Sequence, residues 1–274
     1  MEANKFVAEV YHRMGKRDIE DLNRLNKPVE NIALLYRDWE YVKNDPEVNK
    51  AVYQYKNILP ADKNTRILEV GYGNGRFLAA CIVLGYKNIE CADFASALES
   101  KLSTWSASIR EIHDIKIDIA DFLNDKIEKF DFIHLSHVIE HIPKYSLLYN
   151  VDSLYRSLKK GGSILIRTPN MESPRALSLY FCTLGHEYGF TVSNLNSLLK
   201  ICNFDQIKFL KIENDRRYRG KLYVRLIKKI LLFFNEIMHR LFGAESPVSK
   251  IYSDELVVQA YRLELPPLFN PETR

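Results

Sequence analysis

The sequence lacks three features that would assign it to a specialised class of protein. Its cysteines have no short spacing, which argues against both a zinc ribbon and a disulfide framework; they are Cys81, Cys91, Cys182 and Cys202. It has no uncharged apolar run that approaches the roughly 20 residues of a membrane span. Its N-terminus, MEANKFVAEV, lacks the apolar core of a signal peptide. We therefore predict a protein of the reducing cytoplasm without a membrane-spanning helix.

A strong net charge is also missing. The chain has 274 residues, with 39 Lys and Arg against 35 Asp and Glu. A dedicated nucleic-acid-binding protein carries a strongly basic domain or stripe, which would show in this balance. Hydrophobic residues make up 46% of the chain and charged residues 27%, an ordinary mixture for a globular protein. We predict no nucleic-acid partner, and any basic patch is local.

Glycine is nearly absent from the first 60 residues, where it occurs once, as Gly15. This stretch is rich in charge and tyrosine and is broken by Pro28 and Pro46, so we predict a helical cap over residues 1–60. From Thr65 onward, short β-rich runs alternate with helix-length segments. This alternation predicts an α/β fold with a parallel sheet built from βαβ units.

The sequence also predicts where these elements lie. The predicted strands are RILEV, NIECADF, IKIDIAD, FDFIHLS, GGSILIRTPN, QIKFLKI and ELVVQAYRLE. The predicted helices lie near 75–85, 96–108, 145–159 with Gly161 and Gly162 as its C-cap, and from Ser193 to a left-handed stop at Asn203. The chain then divides into the helical cap 1–60, a core 61–213, a helical insertion 214–250, and a closing strand and tail 251–274.

The most specific motif is a glycine-rich turn, Gly71-Tyr72-Gly73-Asn74-Gly75, that follows directly on an apolar strand. Glycines there permit positive φ angles and let a ligand lie against bare backbone at the carboxyl end of the strand. The spacing differs from the Gly-x-Gly-x-x-Gly of dinucleotide sites. Glu69, two residues upstream, would repel a pyrophosphate but tolerate a cationic ligand.

Two acidic positions follow at the ends of later predicted strands. Asp93 lies 22 residues after Gly71, where a carboxylate accepts hydrogen bonds from the hydroxyls of a ribose. Asp121 and Phe122 close the third predicted strand, where Asp121 could accept from an adenine amino group while Phe122 covers the base. An ordinary helix N-cap is the alternative for Asp121.

In their order along the chain, these segments resemble the successive motifs of class I S-adenosylmethionine-dependent methyltransferases. The resemblance covers roughly residues 50–213 and includes FDFIHLSHVIEHIP and LYRSLKKGGSILIRTPN. It implies a Rossmann-like, seven-stranded, mostly parallel sheet with an antiparallel last strand, and S-adenosylmethionine as the cofactor. It implies donor-binding roles for Glu69, Gly71, Tyr72, Gly73, Asn74, Gly75, Asp93, Phe94, Asp121, Phe122 and Ser136. Acceptor specificity should then lie in residues 1–60 and 214–250.

Three histidines are the candidates for acceptor chemistry. His137 follows the fourth strand and is a candidate base or acceptor contact. His141 is a weaker candidate, because this position is shared by relatives with unrelated acceptors, which suggests a structural or donor-site role. His186, in the segment GHEYGF, is the other candidate base. His134 lies inside the strand and is predicted to be a core or interface residue.

We predict no metal ligand. His137, Glu140 and His141 form a His-x-x-Glu-His pattern, the inverted zinc-protease motif, but that motif belongs inside a helix and needs a third ligand. Some quinone-methylating relatives place metal ligands in this region, and they carry a glutamate where this chain has His137.

Four further side chains leave two interpretations open. Arg167 and Asn170, at the end of the fifth strand, could contact an acceptor or satisfy loop backbone groups. Tyr36 and Trp39 could form a wall of the acceptor pocket or pack within the helical cap.

The resemblance favours O-methylation of a small molecule or glycan, as in polysaccharide biosynthesis. The fourth strand lacks the Asn/Asp-Pro-Pro-aromatic box of enzymes that methylate adenine or glutamine amides. Two alternatives remain: methylation of a lipophilic acceptor such as a quinone precursor, and a non-catalytic partner protein that binds S-adenosylmethionine.

Residues 221–242 have the pattern of an amphipathic helix with a broad apolar side. The other side carries Lys221, Arg225, Lys228, Lys229, Glu236, His239 and Arg240. We consider three roles for this segment: a lid that borders the acceptor pocket, a homodimer interface, or a peripheral contact with the anionic inner face of a membrane.

Overall fold

The structure is a computed structural model that describes most of the chain. The described residues are 34–94, 102–115, 118–183, 185–211, 251 and 253–262, together with positions 226, 227, 230, 233, 234 and 237. Much of the predicted cap, most of the predicted insertion and the side chain of Tyr36 lie outside the described residues.

The described part contains the predicted seven-stranded sheet. Its strands are β1 Arg66–Val70, β2 Asn88–Asp93, β3 Ile109–Asp114, β4 Phe130–Ser136, β5 Leu158–Pro169, β6 Phe204–Phe209 and β7 Glu255–Arg262. Their order is β3-β2-β1-β4-β5-β7-β6. All neighbouring strands are parallel except β7, which runs antiparallel to β5 and to β6. The Rossmann-like fold predicted from the sequence is confirmed.

Helices connect the strands and lie before the sheet. They are α1 Trp39–Val42, α2 Pro46–Tyr55, α3 Arg76–Val83, α4 Leu102–Trp105, α5 Ile119–Leu123, α6 Leu147–Ser157, α7 Ala176–Tyr180 and α8 Val192–Ile201. Two short 3-10 helices span Leu34–Tyr36 and Ile139–His141. No helix among these residues has the length and hydrophobicity needed to cross a membrane. Each of the four cysteines is a free thiol.

The central strands are mostly buried and apolar because helices cover the sheet on both faces. Ile67 and Leu68 are both fully buried, and their side chains point to opposite faces. Ile67 belongs to a cluster with α2 and α3, whereas Leu68 belongs to one with α5, α6 and α8. The described part of the cap therefore packs on the sheet beside α3.

The prediction for the third strand was wrong. The strand is Ile109–Asp114, and the run predicted as a strand, residues 115–121, instead ends in the first turn of α5. The side chain of Asp118 accepts from the backbone N–H of Asp121 at 2.7 Å and caps this helix. Asp121 and Phe122 thus lie within α5 and do not close a strand. Sequence pattern missed β3 because it is an edge strand with mostly exposed residues.

Two predicted helix ends also differ from the structure. Gly161 and Gly162 do not cap α6, because the chain becomes extended at Leu158 and both glycines lie inside β5. A Cβ on Gly162 would lie 2.9 Å from the carbonyl oxygen of Lys159, so close backbone approach requires glycine there. The helix predicted to start at Ser193 is capped by Thr191.

Candidate active site at the carboxyl edge of the sheet

The glycine-rich turn joins β1 to α3 and adopts the backbone that its sequence predicts. The φ angles of Gly71, Gly73 and Gly75 are +73°, +48° and +77°, a left-handed region that favours glycine. The three glycines differ in their surroundings. A Cβ on Gly71 would lie 2.3 Å from Val138 Cγ2, whereas one on Gly73 would meet no heavy atom within 4 Å.

This difference gives a matched pair of substitutions. Gly71→Ala is expected to lower the free energy of unfolding by about 1–3 kcal/mol more than Gly73→Ala, because it adds a steric clash to the backbone strain that both variants share. Urea unfolding of the two variants measures this difference. Equal losses in the two variants would contradict the close approach of Val138.

Asp93, the last residue of β2, is held beside this turn. Its Oδ2 accepts a hydrogen bond from the backbone N–H of Gly73 at 3.1 Å. Gly71 in turn donates its N–H to the carbonyl of Ala92 at 2.7 Å. The strand end and the turn are thus fixed to each other, as their predicted common role in binding requires.

Glu69 lies at the floor of the same region and is almost fully buried. Its Oε1 lies 3.3 Å from His134 Nδ1, and its Oε2 has no hydrogen-bond partner among the described residues. Burial and the negative charge of Asp93 raise the pKa of Glu69 well above its usual value. A cationic ligand group would satisfy the orphan oxygen and favour the carboxylate form.

The remaining predicted donor-site residues lie at or after the carboxyl ends of the parallel strands. Tyr72 is buried, Phe94 packs against the core, and Ser136 ends β4. The side chain of Asn74 is exposed and caps the N–H of Arg76 at 3.1 Å. Asp121 and Phe122 lie in α5, which follows β3, and Asp118 is the acidic residue that immediately precedes this helix.

A chain of buried polar groups leads from Glu69 across the sheet. The hydroxyl of Tyr55, on α2, lies 3.2 Å from His134 Nε2 and accepts from Arg167 at 2.7 Å. Arg167 also donates to Glu255 Oε2 at 2.5 Å. Burial holds the pKa of His134 well below its usual value, so this histidine is neutral, and burial raises that of Tyr55 to about 12. His134 is thus the core residue that the sequence predicted.

His137 stands at the other end of this chain, directly after β4. Its φ of +56° is unusual for a residue other than glycine and is typical of a strained functional position. Its Nδ1 lies 3.2 Å from Glu140 Oε1, and its Nε2 lies 3.0 Å from Glu255 Oε1. Hydrogen bonds to Glu140 and Glu255 raise the pKa of His137 to about 9. At neutral pH this side chain is therefore an imidazolium.

The pairing of His137 with Glu255 gives a direct prediction. Glu255→Gln is expected to lower the pKa of His137 from about 9 toward its ordinary value, because one of its two carboxylate partners is lost. NMR titration of the histidine ring protons measures this pKa. Asp254→Asn is the matched control, because Asp254 pairs with Arg175 instead. A wild-type His137 that titrates at its ordinary pKa would contradict the assignment.

The other two predicted histidines come together beside this pair. The rings of His141 and His186 lie 4.8 Å apart. His141 donates its Nδ1–H to the carbonyl of Gly185 at 2.8 Å, and His186 donates its Nδ1–H to the carbonyl of Tyr180 at 2.9 Å. This bond fixes the tautomer of a neutral ring, so that Nε2 carries the lone pair. Burial lowers the pKa of His141 and favours its neutral form.

Two groups of side chains have the composition of a metal site. One ligand atom from each of Glu140, His141 and His186 lies within 4.8 Å of the others, and the same holds for a group on β2 and β3 formed by Glu90, Glu111 and His113. In the second group Lys129 lies 2.7 Å from Glu90 and already neutralises it. In the first, Glu140 accepts from Thr168 at 3.1 Å. That the protein works without a metal stays a prediction.

A cleft of about 410 Å³ opens on the α2 side of the same edge. Nine of its eleven lining residues are polar or charged; the lining consists of Glu47, Lys50, Gln54, Arg76, Arg167, Leu210, Lys211, Ser253, Asp254, Glu255 and Val257. Arg167 therefore lines this cleft, which is one of the two roles open to it from the sequence. The cleft suits a polar ligand.

Two of the other open alternatives are decided by contacts. The side-chain amide of Asn170 donates to the carbonyls of Ile251 and Ser253, both at 2.8 Å, so it satisfies loop backbone groups. The rings of Trp39 and Trp105 lie 6.1 Å apart, so Trp39 packs between the cap and α4.

Two residues of this site were missed from the sequence. Glu255 pairs in register with Pro169, because β7 is antiparallel and starts where the parallel strands end. That position could have been inferred from the predicted topology. Tyr55 lies 112 residues from Arg167 along the chain, and no local pattern indicates their contact.

Comparisons with known proteins agree with this geometry. The sequence model of the family described as methyltransferase domain matches residues 38–208, more than half of the chain. No curated protein matches the chain.

Several solved structures share the fold. A methyltransferase dependent on S-adenosylmethionine from Archaeoglobus fulgidus is 20% identical, with a TM-score of 0.53 over 81% of this chain and 97% of that one. Burkholderia thailandensis 1,6-didemethyltoxoflavin-N1-methyltransferase, with bound S-adenosylhomocysteine, is 13% identical, with a TM-score of 0.52 over 93% and 90%. Phosphoethanolamine N-methyltransferase 2 from Haemonchus contortus, also with S-adenosylhomocysteine, is 18% identical, with a TM-score of 0.51 over 79% of this chain and 53% of that one.

Proposed function

The chain belongs to the methyltransferase domain family, and we propose that this S-adenosylmethionine-dependent enzyme methylates a hydroxyl group of a sugar or another polar small molecule. The proposed sugar acceptor follows from the resemblance to enzymes of polysaccharide biosynthesis. It goes beyond the comparisons, because the solved relatives act on varied substrates.

The donor fits the residues present at the carboxyl edge. Glu69 offers an orphan, buried carboxyl oxygen to a cationic group, and the position of a Cβ on Gly73 is open, with no heavy atom within 4 Å. Asp93, whose Oδ2 accepts from the turn, places its carboxylate at the strand end where a ribose hydroxyl can donate to it. Bound S-adenosylmethionine would supply a methyl group on its sulfonium, with the neutral thioether S-adenosylhomocysteine as the leaving group.

The polar cleft is the observation that carries the acceptor class. Only Leu210 and Val257 among its lining residues are apolar. A sugar can hydrogen-bond to such a surface, whereas a lipophilic ring would desolvate these charged groups without offering them hydrogen bonds. The residues of the cleft come from α2, the start of α3, β5, the segment after β6, and β7 with the two residues before it.

We assign different roles to the three histidines of the site. A hydroxyl loses its proton when its oxygen is methylated, and a positioned base accelerates that step. His186 is the base in this proposal, because its bond to Tyr180 directs Nδ1–H away and leaves Nε2 to accept the proton. His137, protonated at neutral pH, uses both ring N–H groups on Glu140 and Glu255, and its positive charge attracts and orients the acceptor oxygen. His141 supports the loop that carries His186 through its bond to Gly185.

A lipophilic acceptor is the second candidate, and one observation favours it. Large apolar side chains at positions 226–234 are exposed in the segment between β6 and β7. A quinone precursor could approach along such a surface. The third possibility, a binding protein without catalysis, is favoured by no observation of comparable weight.

Methyl transfer to matched acceptors tests the proposal. We expect tritium from labelled S-adenosylmethionine to appear on methyl glycosides as a product that resists mild alkali, as an ether does and a methyl ester does not. Hydroxylated quinone precursors form the comparison set. Transfer to the quinone precursors and not to the sugars would overturn the proposed acceptor in favour of the second candidate.

A further inference from the structure

An exposed apolar surface lies in the segment between β6 and β7. It consists of five helical residues, each between 46 and 60% exposed: Leu226, Ile227, Ile230, Phe233 and Phe234. Their spacing places all five within an arc of about 120° on an α-helix, and we call this set the apolar stripe. Large apolar side chains that gather on one exposed face mark an interaction surface.

Positive charge is concentrated in the same segment. Residues 221–242 contain five Lys and Arg but a single acidic residue, Glu236. This excess of four positive charges equals the net charge of the whole chain, so the rest of the chain is neutral in sum. In the sequence, the basic residues stand next to and between those of the apolar stripe, and they lie outside the described residues; they are Lys221, Arg225, Lys228, Lys229 and Arg240.

We propose that the apolar stripe docks on an anionic membrane surface. In this arrangement the apolar side chains enter the boundary between headgroups and acyl chains, and the flanking Lys and Arg lie near anionic headgroups. An exposed apolar surface in a segment rich in Lys and Arg is the pattern of segments that lie in the membrane interface. The contact is peripheral and does not depend on which acceptor the enzyme uses.

The same observations weigh against the other two roles considered for this segment. A second copy of the chain would bring two segments of equal positive charge together, which costs free energy at low ionic strength. A lid closed on the fold would bury the apolar stripe, yet its residues are about half exposed. Charge complementarity therefore favours an anionic lipid surface over another copy of the chain.

Vesicle flotation with the intact protein tests the proposal. We expect the protein to float with phosphatidylcholine vesicles that contain about one third phosphatidylglycerol, and to bind pure phosphatidylcholine vesicles at least about tenfold more weakly. Raising NaCl to about 0.5 M should release much of the bound protein, because salt screens the headgroup attraction.

Two double variants separate the apolar stripe from general surface hydrophobicity. Ile227→Ser with Ile230→Ser removes side chains that are 52 and 46% exposed, and Ile127→Ser with Ile201→Ser removes two that are each 51% exposed elsewhere. We expect the first to lower vesicle binding at least about tenfold and the second to leave it unchanged. Unchanged circular dichroism and S-adenosylhomocysteine binding show that both variants are folded.

Charge is tested separately by Lys228→Gln with Lys229→Gln. Each lost charge should weaken binding to the anionic vesicles by roughly fivefold, and binding to neutral vesicles should not change. Absence of flotation at low salt would overturn the proposal, and so would equal binding to neutral vesicles. A dimer that the Ile227 and Ile230 substitutions dissociate, without flotation, would overturn it in favour of a second copy of the chain.

Discussion

Asp93→Ala is expected to weaken the binding of S-adenosylmethionine by about 1–3 kcal/mol, which is roughly a 5- to 150-fold rise in Kd. The substitution removes a charged acceptor for the ribose hydroxyls. It also removes the partner of the Gly73 N–H, which lies 3.1 Å from Asp93 Oδ2. The glycine-rich turn would then lose the contact that fixes it to β2. Isothermal titration calorimetry with the purified variant measures the loss.

Asp114→Ala is the matched control for this variant. Asp114 ends β3 and pairs in register with Asp93 on the neighbouring strand, and its side chain is exposed. We expect its affinity for the donor to stay within about threefold of wild type, since exposed substitutions away from a site have small effects. A donor affinity that is the same in both variants would contradict the assigned role of Asp93.

His186→Ala is expected to lower kcat by roughly 10²–10⁴ while the Kd for the donor stays nearly constant. The loss is confined to kcat because the base accepts a proton only as the new bond forms. The prediction applies to a hydroxyl acceptor, whose proton must leave. His113→Ala, a histidine on β3 beside Glu90 and Glu111, is the control and should keep wild-type turnover.

His137→Ala should also lower turnover, but with a different pH dependence from that of His186→Ala. The pKa of His137 is raised to about 9, so its charged form is present at neutral pH and is lost as pH rises through 9. Wild-type activity should therefore fall above pH 9, and the His137→Ala variant should lack this fall. Wild-type turnover in both the His137 and His186 variants across the pH series would mean that neither histidine takes part.

The same pairing should affect stability at both extremes of pH. His137, with its raised pKa, contributes stability at low and neutral pH that is lost as pH rises through about 9. Burial by itself would raise the pKa of Glu255, but the hydrogen bond from His137 and the charge of Arg167 outweigh it and lower this pKa to about 2. The contribution of Glu255 is therefore lost as pH falls toward 2.

The parts of the site that are local in sequence could be predicted from it. The turn at Gly71, Gly73 and Gly75 and the strand-end carboxylate of Asp93 each follow from a strand and a turn next to each other in the chain. Their geometry is set by backbone conformation, which the residue types report directly. The strands of the sheet interior were also predictable, because their largely apolar runs of β-branched and aromatic residues indicate buried strands.

The parts that depend on distant strand pairing could not be predicted in the same way. Glu255 meets His137 across 118 residues of chain, and the contact exists because the last strand runs antiparallel. The edge strand β3 is polar and has no apolar pattern that would indicate a strand. The alternating apolar and polar residues before Asp121 have the pattern of a strand, but Asp118 is the N-cap of a helix there. Local propensity is overridden there by a side-chain cap.

Calorimetric titration of the intact protein with S-adenosylhomocysteine tests the central claim most directly. We expect saturable heat with one molecule bound per chain and a rise in the unfolding temperature. NAD should produce neither effect, because the glycine spacing and Glu69 are unsuited to a pyrophosphate. The absence of heat and of a thermal shift with S-adenosylhomocysteine, together with stabilisation by NAD, would contradict it.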